Sequence, residues 1–345
     1  MYLEHFGFSK PPFDISPNCL KIYASHQHAR ALTLMDYAIW NQYGFMVITG
    51  EIGTGKTTLI NRLVARPPVG VEFLKVSYTN VSSSELFDLI ASQLGLNIHD
   101  INKKIETLNR IHNYLKELEA NKRQQVFLID EAQNLSLENL EDVRMLTGLE
   151  GQTGPLLKII LVGQPELSVH INKIPQLEQR VLLSYHLAPL SDVDVQKYIA
   201  YRLASVQKKK TKIFTKDAAI LVAKHSGGIP RLVNRICDAA LICAFADNHS
   251  EINAKDIENA IQEVGIRSAP RHSSPLTLNN SRHSRLTGVA NKAEKDSNVV
   301  IMDPMIQVSS RLISIDRSLA RIADSLETLI PSHSDHNYKT PGKED

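Results

Sequence analysis

The sequence predicts an α/β fold: a parallel five-stranded sheet flanked by helices, then a small all-helical lid subdomain and a C-terminal heptad helix. Three observations predict it. Between Phe45 and about Ala188, short apolar runs alternate with amphipathic stretches, the pattern that builds a mostly parallel sheet covered on both faces. The first run is followed by Gly50, Glu51, Ile52, Gly53, Thr54, Gly55, Lys56 and Thr57, which fit the phosphate-loop pattern G-x-x-x-x-G-K-[ST]. A later run, Val126-Phe127-Leu128-Ile129, ends in Asp130 and Glu131, setting two carboxylates where such sheets hold ligands.

The elements follow in order. Residues 1–40 are aromatic-rich and broken by prolines (Phe6, Phe8, Pro11, Pro12, Phe13, Pro17), turning helical from about His26 to Trp40. This lead-in can be purely structural or can pack over a nucleotide base. The core, 41–190, carries strands expected at 45–49, 71–76, 125–129, 157–162 and 184–188. Its helices are expected at 56–65, 83–94, 103–120, 136–147 and 174–182. Residues 191–266 read as four helices, 191–206, 215–225, 230–245 and 254–264, with Gly227-Gly228-Ile229-Pro230 between the middle two.

Residues 267–298 change character: Ser, Asn, Pro, Arg and His dominate, and the basic residues have no acidic neighbours before Glu294. The segment reads as a flexible tether whose charge can also touch nucleic acid or anionic lipid. Within 299–331, Met305, Val308, Leu312, Ile315, Leu319, Ile322, Leu326 and Leu329 step by three and four, a heptad seam. It can pair with itself, bind a partner or dock on the body; a coiled coil is the preferred reading. Residues 332–345 are expected to fray.

Bulk properties bound the function. Charged residues make up 22% and hydrophobic ones 43%, ordinary for a soluble globular protein. The net charge of +2 singles out neither nucleic acid nor membrane. Cys19, Cys237 and Cys243 form no C-x-x-C pair, which argues against a disulfide framework and fits a reducing compartment. No leader opens the chain and no apolar run reaches about 18 residues, so no membrane span is expected. A cytoplasmic location follows, with membrane association only through a partner.

The chemistry-bearing residues share one logic. Glycine lets backbone N–H groups close around phosphate oxygens, and the helix after the loop, opening with Thr58, points its positive end at the same anion. Lys56 brings a point charge to ATP's β- and γ-phosphates; Thr57 and Asp130 can hold Mg²⁺. Glu131 can polarise the attacking water. Gln164, after the apolar run Leu161-Val162-Gly163, can orient that water or merely cap a strand. Arg180 is placed on a helix before the fifth strand, to reach a neighbour's γ-phosphate or to form a surface ion pair. Arg231, opening a lid helix, can reach the phosphates of its own chain.

Together these residues resemble an AAA+ P-loop ATPase, more narrowly one of the ExeA/GspA-type secretion ATPases. The resemblance covers about residues 1–266. It rests on Met1-Tyr2-Leu3, Phe6-Gly7 and Pro12-Phe13, the loop at 50–57, Leu-Ile-Asp-Glu-Ala-Gln-Asn-Leu at 128–135, Leu-Val-Gly-Gln-Pro-Glu-Leu at 161–167, Leu-Glu-Gln-Arg-Val at 177–181 and Gly-Gly-Ile-Pro-Arg at 227–231. It implies Walker A roles for Lys56 and Thr57, Walker B roles for Asp130 and Glu131, sensor 1 at Gln164, an arginine finger at Arg180 and sensor 2 at Arg231. ExeA-like proteins continue into a membrane span and a peptidoglycan-binding domain. Here a basic linker and heptad helix follow instead, closer to the exosortase- or polysaccharide-export-associated branch. The resulting expectation is an oligomeric cytoplasmic ATPase supporting secretion, pilus or envelope assembly, with a partner bound through 299–331. The alternatives are a DNA-associated ATPase such as a transposition helper, less favoured by the charge, and a nucleotide-gated scaffold with little turnover.

Overall fold

A computed structural model describes residues 2–14, 23–41, 44–77, 82–96, 104–208 and 211–265. They belong to one compact unit, Met1–Ser273. The expectations for the linker, the heptad helix and the tail fall outside the described residues.

Five strands form one sheet: β1 (Phe45–Thr49), β2 (Val71–Val76), β3 (Gln124–Ile129), β4 (Leu157–Gly163) and β5 (Leu183–His186). Their order is β2-β3-β4-β1-β5 and every pairing is parallel. Continuous apolar runs form these strands because both faces are covered. Phe45, Val47, Phe127, Ile129, Ile159 and Leu161 face one core, with α4 (Ser83–Gln93), α5 (Lys104–Ala120) and α6 (Leu137–Leu146). The alternate residues Met46, Ile48, Val126, Leu128, Ile160 and Val162 face a second core, with α2 (His26–Trp40) and α3 (Lys56–Val64).

Two stretches depart from the expectation. Residues 174–182 are not one helix. A helix α7 (Glu166–Asn172) precedes a single turn, α8 (Pro175–Glu178). Pro175 opens α8, and Leu182 N–H then bonds the Phe45 carbonyl, so edge pairing with β1 draws the chain out of the helix. Arg180 therefore sits in the turn after α8 rather than on a helix. A short helix α1 (Tyr2–His5) also opens the chain.

The helices α9 (Asp192–Ala204), α10 (Lys216–Ser226), α11 (Pro230–Ala246) and α12 (Ala254–Val264) share a third core, completed by Phe6, Phe8 and Phe13 of the lead-in. Caps mark the boundaries: Ser191 and Thr215 accept backbone N–H groups at the starts of α9 and α10, and Gly227 ends α10 at φ 57°. The Ser9 N–H bonds the Val206 carbonyl, and Arg202 donates to the carbonyls of Pro12 and Asp14. The lead-in is thus a strap across the helical layer, leading from it to α2 against the sheet.

Candidate functional site

The register brings the strand ends level. Ile129 pairs with Leu161, and Leu161 with Val47, so β4 and β1 end level at Gly163 and Thr49, while β3 ends two residues short at Ile129 and its continuation carries Asp130 and Glu131 to the same edge. Because β4 lies between β3 and β1, the two outer strand ends are about 10 Å apart, two strand spacings. Gln164 stands between them.

The loop after β1 needs glycine at two points. Gly53 has φ 85°, and a Cβ there would meet the Cβ of Arg231 at 2.7 Å. Gly55 has φ 103°, and a Cβ there would meet the Nε2 of His28 at 2.9 Å. Both lie in the left-handed region that side chains avoid. The Lys56 ammonium donates to the carbonyls of Gly50 (2.7 Å) and Glu51 (3.0 Å), so its own loop holds it in place. Lys56 is 7% exposed. Burial pushes its pKa down, while Glu131 and Asp130 push it back up.

The two carboxylates after β3 have opposite surroundings. Asp130 is buried, and burial raises its pKa, while the Thr57 hydroxyl beside it and the bond from the Glu131 N–H pull it down. Glu131 is exposed and has φ 51°, an outlier for a residue with a side chain. Its Oε2 accepts from the Gln133 amide at 2.7 Å, and the Gln133 Oε1 accepts the Gln164 N–H at 2.9 Å. Gln133 escaped the sequence reading because it lies in a one-turn 3₁₀ helix, Ala132–Asn134, with no periodic pattern.

His28 escaped it too. Its Nε2 lies 3.1 Å from the Thr54 carbonyl and its Nδ1 lies 2.7 Å from the Ser25 hydroxyl. A carbonyl only accepts, so Nε2 carries the proton and Nδ1 accepts from Ser25. Burial lowers the His28 pKa and keeps the ring neutral. No signal in the sequence joined His28 to a loop 26 residues away.

His28, Lys56 and Glu131 line one cleft of 570 Å³ that runs from the phosphate loop to the strap. Loop residues Ile52 to Thr58, Glu131, Gln164 and Arg231 line one end. Pro11, Pro12, Tyr23, Tyr198 and Tyr201 line the other, an aromatic wall interleaved with the charges of Lys10, Asp14 and Arg202. The lead-in thus forms part of the cleft wall. Gly50 backs onto the Leu187 carbonyl, which a Cβ would meet at 2.7 Å. The Arg231 N–H donates to the Gly53 carbonyl at 3.3 Å and ties α11 to the loop.

Arg180 is not brought into this cleft. It is exposed, and its Nη1 donates to the Thr147 hydroxyl (2.9 Å) and the Arg144 carbonyl (3.3 Å) at the C-terminal end of α6. A cation there suits the negative end of the helix. Among the described residues no group of three or more His, Cys, Asp or Glu could hold a metal, and no helix is long and apolar enough to cross a membrane.

Comparison with known proteins agrees with this geometry. Residues 40–169 match the AAA domain family. General secretion pathway protein A of Aeromonas hydrophila is 40% identical over 272 residues, covering 77% of this chain and 49% of that protein. The chain thus spans about half the length of the curated relative it matches. Among solved structures, CDC6P from Pyrobaculum aerophilum superimposes with a TM-score of 0.60 at 16% identity, over 73% of this chain and 70% of that one. The Aeropyrum pernix ORC2 protein, solved as ADPNP–ADP complexes, gives a TM-score of 0.55 at 18% identity, over 74% and 72%. Such identities speak for the fold alone. The chain therefore carries an AAA domain on a P-loop NTPase fold and is a relative of general secretion pathway protein A.

Proposed function

We propose that this chain is an ATPase that binds ATP in the cleft and hydrolyses it between subunits of an oligomer, supporting secretion or envelope assembly. The observation that carries the reading is one cleft lined together by Lys56, Thr57, Glu131 and Gln164, with the buried Asp130 carboxylate beside the Thr57 hydroxyl. A hydroxyl and a carboxylate side by side are a divalent-cation pair. They fit Mg²⁺, which takes few protein ligands and completes its shell with phosphate oxygens and water. When bound, that ion neutralises charge on the β- and γ-phosphates.

In this reading the amides from Gly50 to Gly55 surround the phosphates, and Lys56 compensates their charge. Glu131 takes up the proton of the attacking water, which Gln164 orients from the strand between loop and carboxylate. Arg231 reaches the same phosphates from α11. Arg180 serves a neighbouring subunit's site, in keeping with its place outside its own cleft. The secretion role rests on the 40% identical relative, and a fold relative holds ADPNP and ADP. A cytoplasmic location belongs to the same proposal.

Glu131→Gln tests it. The variant should bind a fluorescent ATP analogue within about threefold of wild type and lose at least about 100-fold in turnover, the scale of general-base work. Retained turnover would remove Glu131 from its role.

A further inference from the structure

We infer that Gln133 is the positioning residue of this site: a single amide that fixes the Glu131 carboxylate to the end of β4 and sets the hydrolysis rate rather than ATP affinity. The inference rests on the ATPase reading above. Gln133 lies two residues after Glu131 on the 3₁₀ turn Ala132–Asn134. Its amide is oriented without ambiguity. The Gln164 backbone N–H can only donate, so the atom facing it at 2.9 Å must be Oε1. Nε2 then faces Glu131 and donates to Oε2 at 2.7 Å. Both ends of one planar group are engaged, so the carboxylate and the strand end cannot shift independently.

Gly163 is fitted to this arrangement. A Cβ there would meet the Gln133 Oε1 at 2.8 Å and its backbone nitrogen at 3.1 Å. The strand comes close enough for the amide only because residue 163 has no side chain. The bond also supports Glu131 in a left-handed backbone conformation that residues with a side chain seldom adopt. Gln164 and Glu131 line the cleft, whereas Gln133 does not. Gln133 therefore acts through its neighbours rather than on substrate.

Two substitutions separate positioning from mere packing. Gln133→Met keeps the length of the side chain and removes both bonds. It should lower kcat by about tenfold or more while KM for ATP stays within about twofold, because the interaction matters only in the transition state. Gln133→Glu keeps the acceptor for the Gln164 N–H and turns the donor into a second carboxylate. It should be slow at pH 8 and recover relative to wild type as pH falls towards 6, where one shared proton restores a donor to Glu131. Wild-type kcat in both variants, or a Gln133→Glu to wild-type ratio flat across that range, overturns the inference. Glu131→Gln run alongside keeps the two claims apart. Turnover surviving there defeats the ATPase assignment of Glu131, whereas its loss beside unchanged Gln133 variants defeats only the positioning role.

Discussion

The cleft has two walls built on different principles. The wall at the sheet edge is assembled from strand ends: the parallel register sets the ends of β1, β3 and β4 side by side, Glu131 and Gln164 follow β3 and β4, and the loop after β1 holds Lys56. The opposite wall is a proline-broken strap laid on helices, where Pro12, Tyr23 and Tyr201 are placed by side-chain packing and by hydrogen bonds from Arg202. The phosphate loop and the strand-end carboxylate lie on the first wall, and the aromatic rings of the far end on the second. The difference teaches that this chain places the polar groups of the sheet edge by topology and the far wall of the cleft by long-range packing, which substitution disturbs more readily.

The comparison breaks most visibly at Arg180, which neither wall contains. If a neighbour's site uses it, Arg180→Ala and Lys56→Ala should each lose on the order of 10³-fold in turnover, and mixing the two inactive proteins should restore activity. Phosphate release on titrating one into the other measures this, and an absence of rescue would count against a site shared between subunits.

The strap wall is sharpened at Phe13, which is 2% exposed and packs edge-on against Phe214 with ring centroids 6.1 Å apart. Phe13→Ala should cost about 3–5 kcal/mol of stability. Denaturant unfolding reads it; a loss below about 1 kcal/mol would mean that the strap is not part of the helical core.

The smallest effect belongs to Asp130. Its folded pKa lies above the ordinary value, so its stabilising contribution is complete only at acid pH and is lost as pH rises through the folded value. At neutral pH the buried carboxylate is a cost. Asp130→Asn should therefore raise the nucleotide-free Tm by about 2–4 °C at pH 7.5, with the gain shrinking towards acid. An unchanged or lower Tm across that range would show that the Thr57 hydroxyl and the bond from the Glu131 N–H outweigh burial.

Much of the sheet wall was legible in the sequence, because its signals are local. The apolar runs at 45–49 and 71–76 became strands with the expected ends, and the loop glycines sit where φ demands them. Helix α7 was missed although Pro165 and Glu166 stand at its start, because the polar residues after β4 read as a strand end. The sequence places Arg180 on a helix because pairing of Leu182 with Phe45 spans 137 positions and leaves no trace in periodicity. His28 and Gln133 were hidden for the same reason. Their partners, Thr54 and Gln164, are neighbours only after folding.

One contact also has a use as a reporter. The Gln164 N–H is held by a side chain rather than by an adjoining strand. Its exchange with deuterium can proceed when the Gln133 amide swings away, without the sheet opening. Amides inside β4 exchange only when strands part. The ratio of the two rates is therefore a clock for a single side-chain torsion, readable in solution before any nucleotide is added.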